Sequence, residues 1–242
     1  MALIASQRIT EPAQRTMTRV PPGTRDFTLS LCEDTLPAGA RAALGALNRV
    51  LYIRRGSVTV SSGARESRVA EGEVWHGAQA CRIAAAESGG AMLRYEFTRG
   101  AAAPERVAAG TTRVLLEHAI DLDPEADYLM RADRVDFAPG GVALPHRHRG
   151  GGIRCLIAGS LEVTVGQTPA RQVTPGGAWF ESGREPVLAI ASKDEATSFV
   201  RVAILPREIR GRTSIMYVDP KDAERGRPRT YTVYVDEPIE IA

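Results

Sequence analysis

The sequence predicts an all-β protein built as two tandem jelly-roll β-barrels, and three observations lead to this fold class. Short runs of Val, Ile, Leu, Thr and Tyr alternate with Gly, Pro, Ser and Asp along most of the 242 residues, which is typical of strands separated by turns. Helical signal is thin, because the alanine-rich residues 40–47 are interrupted by Gly45 and residues 220–224 predict only one capped turn. The third observation is an internal repeat.

The repeat relates the first part of the chain to the second. Residues 49–60 are similar to residues 153–164, and Trp75 corresponds to Trp179, about 104 positions later. A single period of this length is too long for a solenoid and has the size of a duplicated domain. The clearest predicted strands of the second copy and its continuation are 156–165, 187–192, 199–205 and 230–235.

The repeat also predicts the domain boundaries. The first barrel should end in the Gly/Ala/Pro-rich stretch that begins at Arg99, because such a composition is typical of linkers. The predicted segments are an N-terminal arm (1–25), a first barrel (26–104), a second barrel (112–206) and a strand-rich C-terminal extension (207–242).

A histidine pair stands just before the second copy of the repeat. His146 and His148 are separated by one residue in an extended segment, so they should point to the same side of a strand. Neutral imidazole is the commonest side-chain ligand of transition metals, so a pair facing a barrel interior predicts a metal site. A solvated basic loop is the alternative, since two arginines interleave with the histidines and glycines follow.

The glycines around the pair resemble the first motif of the cupin superfamily. Gly140, five residues, His146-x-His148, three residues, a slot at Gly152, six residues and Gly159 reproduce the cupin spacing. With the repeat, the chain is similar to a bicupin, which has two tandem cupin domains. The resemblance implies jelly-roll barrels and a divalent metal ion (Mn, Fe, Ni or Zn, not distinguishable here) held inside.

The chain departs from the cupin pattern at two ligand positions. Gly152 stands where a glutamate is usual, and Val187 stands where the second motif normally ends in a histidine. Glu181 offers a replacement, because its counterpart in the first copy is Gly77 and a carboxylate is therefore gained only beside the histidines. We predict that Glu181 and the two histidines form a 2-His-1-carboxylate metal set. A surface glutamate at a strand end is the alternative.

Two further residues are predicted to bind substrate. Arg154 lies two positions after Gly152, so strand alternation directs both toward the interior, where an arginine can hold a substrate carboxylate by paired hydrogen bonds. Its alternative is a structural ion pair with a carboxylate such as Asp136. Trp179, two residues before Glu181, completes the predicted substrate-binding set.

The first copy lacks these groups. Aligning the copies places Ala43 and Gly45 at the positions of the two histidines and Arg49 at the slot of Gly152. We therefore predict a degenerate first barrel without metal ligands. The remaining histidines, His76 and His118, are interpreted as packing or incidental residues.

Composition limits the partners. The formal net charge is +2 with no clustered basic tract, and no apolar run approaches bilayer length, which argues against nucleic acid and membrane as binding partners.

Three cysteines without CxxC spacing predict a reduced, cytoplasmic protein. Cys155 should face away from Arg154 as a small buried hydrophobe. The strand-like pieces after residue 206 need covering, so we expect a homodimer.

Two classes of function follow. The first is a metal-dependent cupin enzyme, dioxygenase-like or aminohydrolase-like, that acts on a small and carboxylate-bearing substrate. The resemblance supports it, since bicupins with one active barrel include ureidoglycine aminohydrolases and several dioxygenases. The second is a non-catalytic small-molecule-binding or structural cupin with a degraded metal site, because the fold hosts many functions.

Overall fold

A computed structural model describes residues 25–100, 102–225 and 229–241, and these form antiparallel β-sheets. The predicted all-β jelly-roll class is confirmed, whereas the predicted N-terminal arm lies outside the described residues except for Arg25. The helices in these ranges are two short 3-10 turns, Arg207–Ile209 and Pro220–Ala223. The second is the predicted capped turn, in which the Asp219 side chain accepts a hydrogen bond from a backbone N–H. None of the described helices is long and apolar enough to cross a membrane.

Residues 25–122, here called the first half, form one seven-stranded sheet. The strands are β1 (Arg25–Leu36), β2 (Arg41–Leu44), β3 (Asn48–Ser62), β4 (Arg65–Ala70), β5 (Val74–Gly77), β6 (Cys81–Arg99) and β7 (Thr111–Leu122). Five follow the order β4-β3-β6-β1-β7, while β2 pairs with β6 and β5 pairs with β3. The long strands β3 and β6 therefore link all parts of this sheet.

Residues 128–239, here called the second half, form two five-stranded sheets. The strands are β8 (Tyr128–Phe137), β9 (Val142–His148), β10 (Gly152–Ala158), β11 (Leu161–Val165), β12 (Arg171–Val173), β13 (Ala178–Glu181), β14 (Val187–Ala191), β15 (Thr197–Pro206), β16 (Ile215–Tyr217) and β17 (Arg229–Ile239). One sheet has the order β13-β10-β15-β8-β17 and the other the order β12-β11-β14-β9-β16. Two sheets of this kind are the architecture of a jelly roll.

The sheet boundaries differ from the boundaries predicted at 104, 112 and 206. Strand β7 lies inside the predicted second barrel, yet it pairs with β1 in the sheet of the first half. Strands β16 and β17, predicted as an extension, pair with β9 and β8. For β7, β16 and β17, the sheet to which the strand belongs is determined by a pairing partner that lies far away in the sequence.

The predicted strand 156–165 is divided into β10 and β11 by a turn at Gly159. This glycine has a φ of 69°, and a Cβ there would lie 2.5 Å from the carbonyl oxygen of Ala196. Only glycine meets both requirements at low cost. The turn brings β10 and β11 into different sheets.

Side chains at alternate positions of β10 pack into two different apolar clusters. On β10, Ile153 and Cys155 belong to an apolar cluster that also contains first-half residues, including Val50 and Leu93. Leu156 belongs to the cluster between the two sheets of the second half. Arg154 therefore shares the inner face and Cys155 the opposite face, as strand parity predicts.

The interior of the first half contains a buried ion network formed by residues of β1, β3 and β6. The Arg49 and Arg94 guanidinium groups each lie 2.6 Å from Glu96, and Arg94 also pairs with Asp34. All four side chains are at most 1% exposed. Ala43, which the repeat matches to His146, is exposed, so this position does not line an empty barrel as predicted.

Candidate ligand-binding site

The histidine pair lies inside the second half. His146 and His148 are buried on β9, while Arg147 between them is exposed, as alternation along a strand requires. Their ring centroids are 4.9 Å apart, and the planes are nearly perpendicular. Both rings line one small cavity of about 20 Å³, which is room for about one water-sized group.

Both imidazoles are neutral near pH 7. Burial lowers the pKa of His146, and it lowers the pKa of His148 to about 3 despite the nearby Glu181 carboxylate. The Nδ1–H of His146 donates to the carbonyl oxygen of Leu144 at 2.7 Å, so its Nε2 carries the lone pair. Nδ1 of His148 lies 3.4 Å from Oγ of Ser214.

Glu181 faces the same cavity from β13 and is 5% exposed. Its Oε1 accepts a hydrogen bond from Nε1 of Trp179 at 2.8 Å, and its Oε2 lies 3.2 Å from Nε2 of His148. Burial alone would raise the pKa of this carboxyl group. The Arg154 guanidinium, His148 and Trp179 outweigh burial and hold the pKa well below its ordinary range, so Glu181 is a carboxylate.

Arg154 provides the cation that balances Glu181. It is 1% exposed, and its terminal nitrogen lies 2.7 Å from Glu181 Oε2, an ion-pair contact without hydrogen-bond geometry. Burial lowers its pKa to about 10, which leaves it charged near pH 7. Asp136 pairs with Arg134 instead, at 3.0 Å. A structural ion pair of Arg154, the alternative to substrate binding, therefore forms with Glu181 rather than with Asp136.

The neighbouring strand lies so close to Gly152 that no side chain fits there, which explains why the usual glutamate is absent. A Cβ at this position would lie 2.5 Å from the backbone oxygen of Val202 and 2.7 Å from Cβ of Ala203 on the neighbouring strand β15. Real Cβ atoms do not approach backbone this closely, so a side chain at 152 requires β10 and β15 to separate. In this chain the packing of β15 against β10 therefore fills the position of the usual glutamate side chain.

Two further arginines line the cavity, and the sequence did not identify them. Arg201 is paired with Asp133 on β8, with Nε 3.1 Å from the carboxylate. Arg229 is 6% exposed, and its Nε donates a hydrogen bond to the hydroxyl of Tyr231. Arg201 lies on β15 directly opposite Arg154 of β10, a pairing between strands that are distant in sequence. Arg229 begins β17, whose partner β8 lies far away in the sequence.

The cavity therefore carries an excess of positive charge. Its lining contains three guanidinium groups and one carboxylate, and the further carboxylate of Asp133 pairs with Arg201. The imidazoles of His146 and His148 are neutral and therefore add no charge. One terminal nitrogen of Arg229 is buried without a hydrogen-bond or ion-pair partner in the described ranges. A buried donor in this state costs about 1–3 kcal/mol, and the positive charge favours an anion beside it.

The same residues fit a divalent metal less well in this arrangement. Two neutral imidazoles and a carboxylate are suitable donors, but the Glu181 carboxylate is already neutralised by Arg154. Among the described residues, no three or more His, Cys, Asp or Glu side chains are grouped to hold a metal ion. A dication here would also meet the charge of Arg201 and Arg229.

Comparison with known proteins identifies the fold. No family model matches the sequence, and no curated protein matches it. Oxalate decarboxylase from Bacillus subtilis (a structure at pH 4.6) has a TM-score of 0.59 at 12% identity, covering 86% of this chain and 80% of that one. AerE from Microcystis aeruginosa has a TM-score of 0.53 at 11% identity, covering 74% and 87%. At these identities the likeness shows the fold alone, a jelly roll of the cupin type.

Proposed function

We propose that the second half binds a small carboxylate-bearing molecule, with the carboxylate held by Arg154 and Arg229. One observation carries this proposal: Arg229 has a buried terminal nitrogen without a hydrogen-bond or ion-pair partner among the described residues, and it lines a positively charged cavity together with Arg154. A carboxylate accepts such hydrogen bonds and has the complementary charge. The chain is then a small-molecule-binding cupin, with the first half as its degenerate partner in a bicupin arrangement.

The neutral histidines suit this ligand. His146 and His148 add hydrogen-bonding capacity without adding charge, because burial keeps both in the neutral form. Trp179 acts on Glu181 rather than on the ligand, since its indole N–H donates to that carboxylate. Glu181 Oε2 already contacts the Arg154 guanidinium and Nε2 of His148, so this carboxylate neutralises part of the positive charge of the cavity.

A metal-dependent enzyme is the second candidate. The observation that favours it is the 3.2 Å separation between Glu181 Oε2 and His148 Nε2, together with the fixed Nδ1 of His146, since metal-binding histidines usually anchor their other nitrogen in this way. This candidate requires Arg154 to leave Glu181. Its cofactor would be a divalent ion held by His146, His148 and Glu181, acting as a Lewis acid.

Calorimetric titration with formate, acetate and oxalate tests the proposal. Oxalate is included because oxalate decarboxylase is among the proteins of similar fold. We expect wild-type protein to bind at least one of these anions, and Arg229→Met to weaken it about tenfold, since a charged hydrogen bond is lost. Arg147→Met is the matched control, because Arg147 lies on β9 but is exposed, and it should bind as the wild type does.

The outcomes separate the two candidates. Failure of all three anions to bind the wild-type protein would overturn the proposal, as would equal affinity in Arg229→Met. Metal analysis of the same preparation addresses the second candidate. Near-stoichiometric Mn, Fe, Ni or Zn that disappears in His146→Ala would establish the metal site instead.

A further inference from the structure

An open cleft of about 370 Å³ lies next to the buried cavity. Its lining and that of the cavity share Arg201 and Tyr231. Ser214, which contacts His148, also lines the cleft. The cleft is therefore the outer side of the same site, and the shared side chains separate it from the inner cavity.

The charges of the cleft are balanced except at one residue. Asp133 is paired with Arg201, and Asp236 accepts from Arg131 at 2.8 Å and from a backbone N–H. Arg212 is exposed and has no carboxylate within ion-pair distance among the described residues. It is thus the uncompensated cation of the cleft.

The remaining wall of the cleft is partly apolar. Val233 is 55% exposed, and Ile215 and Tyr231 line the same cleft. An exposed apolar surface beside a free cation suits a ligand with an apolar body and an anionic end. The inner cavity, at about 20 Å³, has room for one small group only.

We infer that the ligand is an elongated diacid, with one carboxylate in the inner cavity and the second at Arg212. Its apolar middle lies over Val233 and Tyr231. The inference rests on the proposed function, because the inner carboxylate is the one held by Arg154 and Arg229. It adds a specificity-determining residue, Arg212, and a class of ligand.

Tyr231 is the group that must move for this ligand to enter. Its hydroxyl accepts the hydrogen bond from Nε of Arg229, and its ring lines both the cleft and the cavity. A carboxylate that replaces this hydroxyl takes over the Arg229 donor. The half-buried position of the ring allows it to turn toward the cleft while the arginine stays in place.

A chain-length series tests the inference. Diacids from succinate to suberate are titrated by calorimetry alongside the monoacids of equal length, with acetate as the probe of the inner cavity alone. In wild-type protein at least one diacid should bind about tenfold or more tightly than its monoacid. Arg212→Ala should reduce this advantage below about threefold and leave acetate binding unchanged. Arg207→Ala is the matched control, because Arg207 is exposed nearby but does not line the cleft.

The outcomes distinguish this inference from the function on which it rests. If acetate binds and depends on Arg229, but diacids have no advantage or keep it in Arg212→Ala, the inference is overturned and the proposed function stands. If acetate and every diacid fail to bind, the proposed function fails, and the inference fails with it.

Discussion

The pairing of Arg154 with Glu181 governs the chemistry of the site at the scale of single residues. The sequence predicts that both residues face the interior, and their contact follows from the pairing of β10 with β13. The pair is completely enclosed, at 1% and 5% exposure. A buried ion pair adds little net stability, whereas loss of one partner leaves an uncompensated charge.

Replacing one partner should therefore cost more than replacing both. We expect Arg154→Met to destabilise the protein by about 3–5 kcal/mol, because Glu181 remains buried without its cation. The double variant Arg154→Met/Glu181→Leu should recover most of this loss. Urea unfolding of both variants measures the difference, with Arg147→Met as the exposed control. A double variant as unstable as the single one would contradict the account.

His148 should make stability depend on pH. Its pKa falls from 6.5 to about 3 on folding because burial disfavours the charged ring, so the unfolded chain binds more protons in this window. Stability should therefore fall as the pH is lowered from 6.5 toward 3, by up to about 1.4 kcal/mol per pH unit. His148→Gln should reduce this slope, measured by urea unfolding at several pH values. An unchanged slope in His148→Gln would disprove the assignment.

Strand pairing explains what was predicted at the scale of elements and what was not. The runs that became β14 and β15 were predicted from β-branched residues and alternation, since those signals are local. The membership of β7 and β17 was not predictable, because each is fixed by a distant strand, β1 or β8. Arg229 was missed for the same reason. The close approach of β10 to β15 at Gly152 likewise has no local signal beyond the glycine itself.

Gly152 should tolerate no side chain. We expect Gly152→Ala to destabilise by about 1–3 kcal/mol, because the new Cβ meets the backbone of β15. Gly152→Glu, which restores the usual cupin residue, should be at least as damaging and should not create a metal site. Gly45→Ala is the control, since a Cβ there meets only an ordinary contact at 3.7 Å. Stability equal to that of the wild type in Gly152→Ala, measured by thermal and urea unfolding, would contradict this view of the slot.

The whole molecule combines a first half whose interior is closed by ion pairs with a second half that contains the candidate site. In the first half Arg49 and Arg94 are ion-paired with Glu96 and Asp34, whereas in the second half Arg229 has a buried donor without a partner among the described residues. The halves pack through a shared apolar cluster, and the Tyr95 hydroxyl donates across it to the carbonyl oxygen of Val200 at 3.2 Å. The repeat predicts this two-part plan. The expected homodimer stays a prediction.

Anomalous diffraction from crystals soaked in bromide shows directly whether the arginines of the second half bind an anion. Bromide is a small anion, close in size to the group that the inner cavity admits. The account predicts a bromide peak in the second half, in contact with Arg154 and Arg229, and none at the Arg49–Glu96 network of the first half. A transition-metal peak bound by His146 and His148, with no bromide beside the arginines, would contradict it.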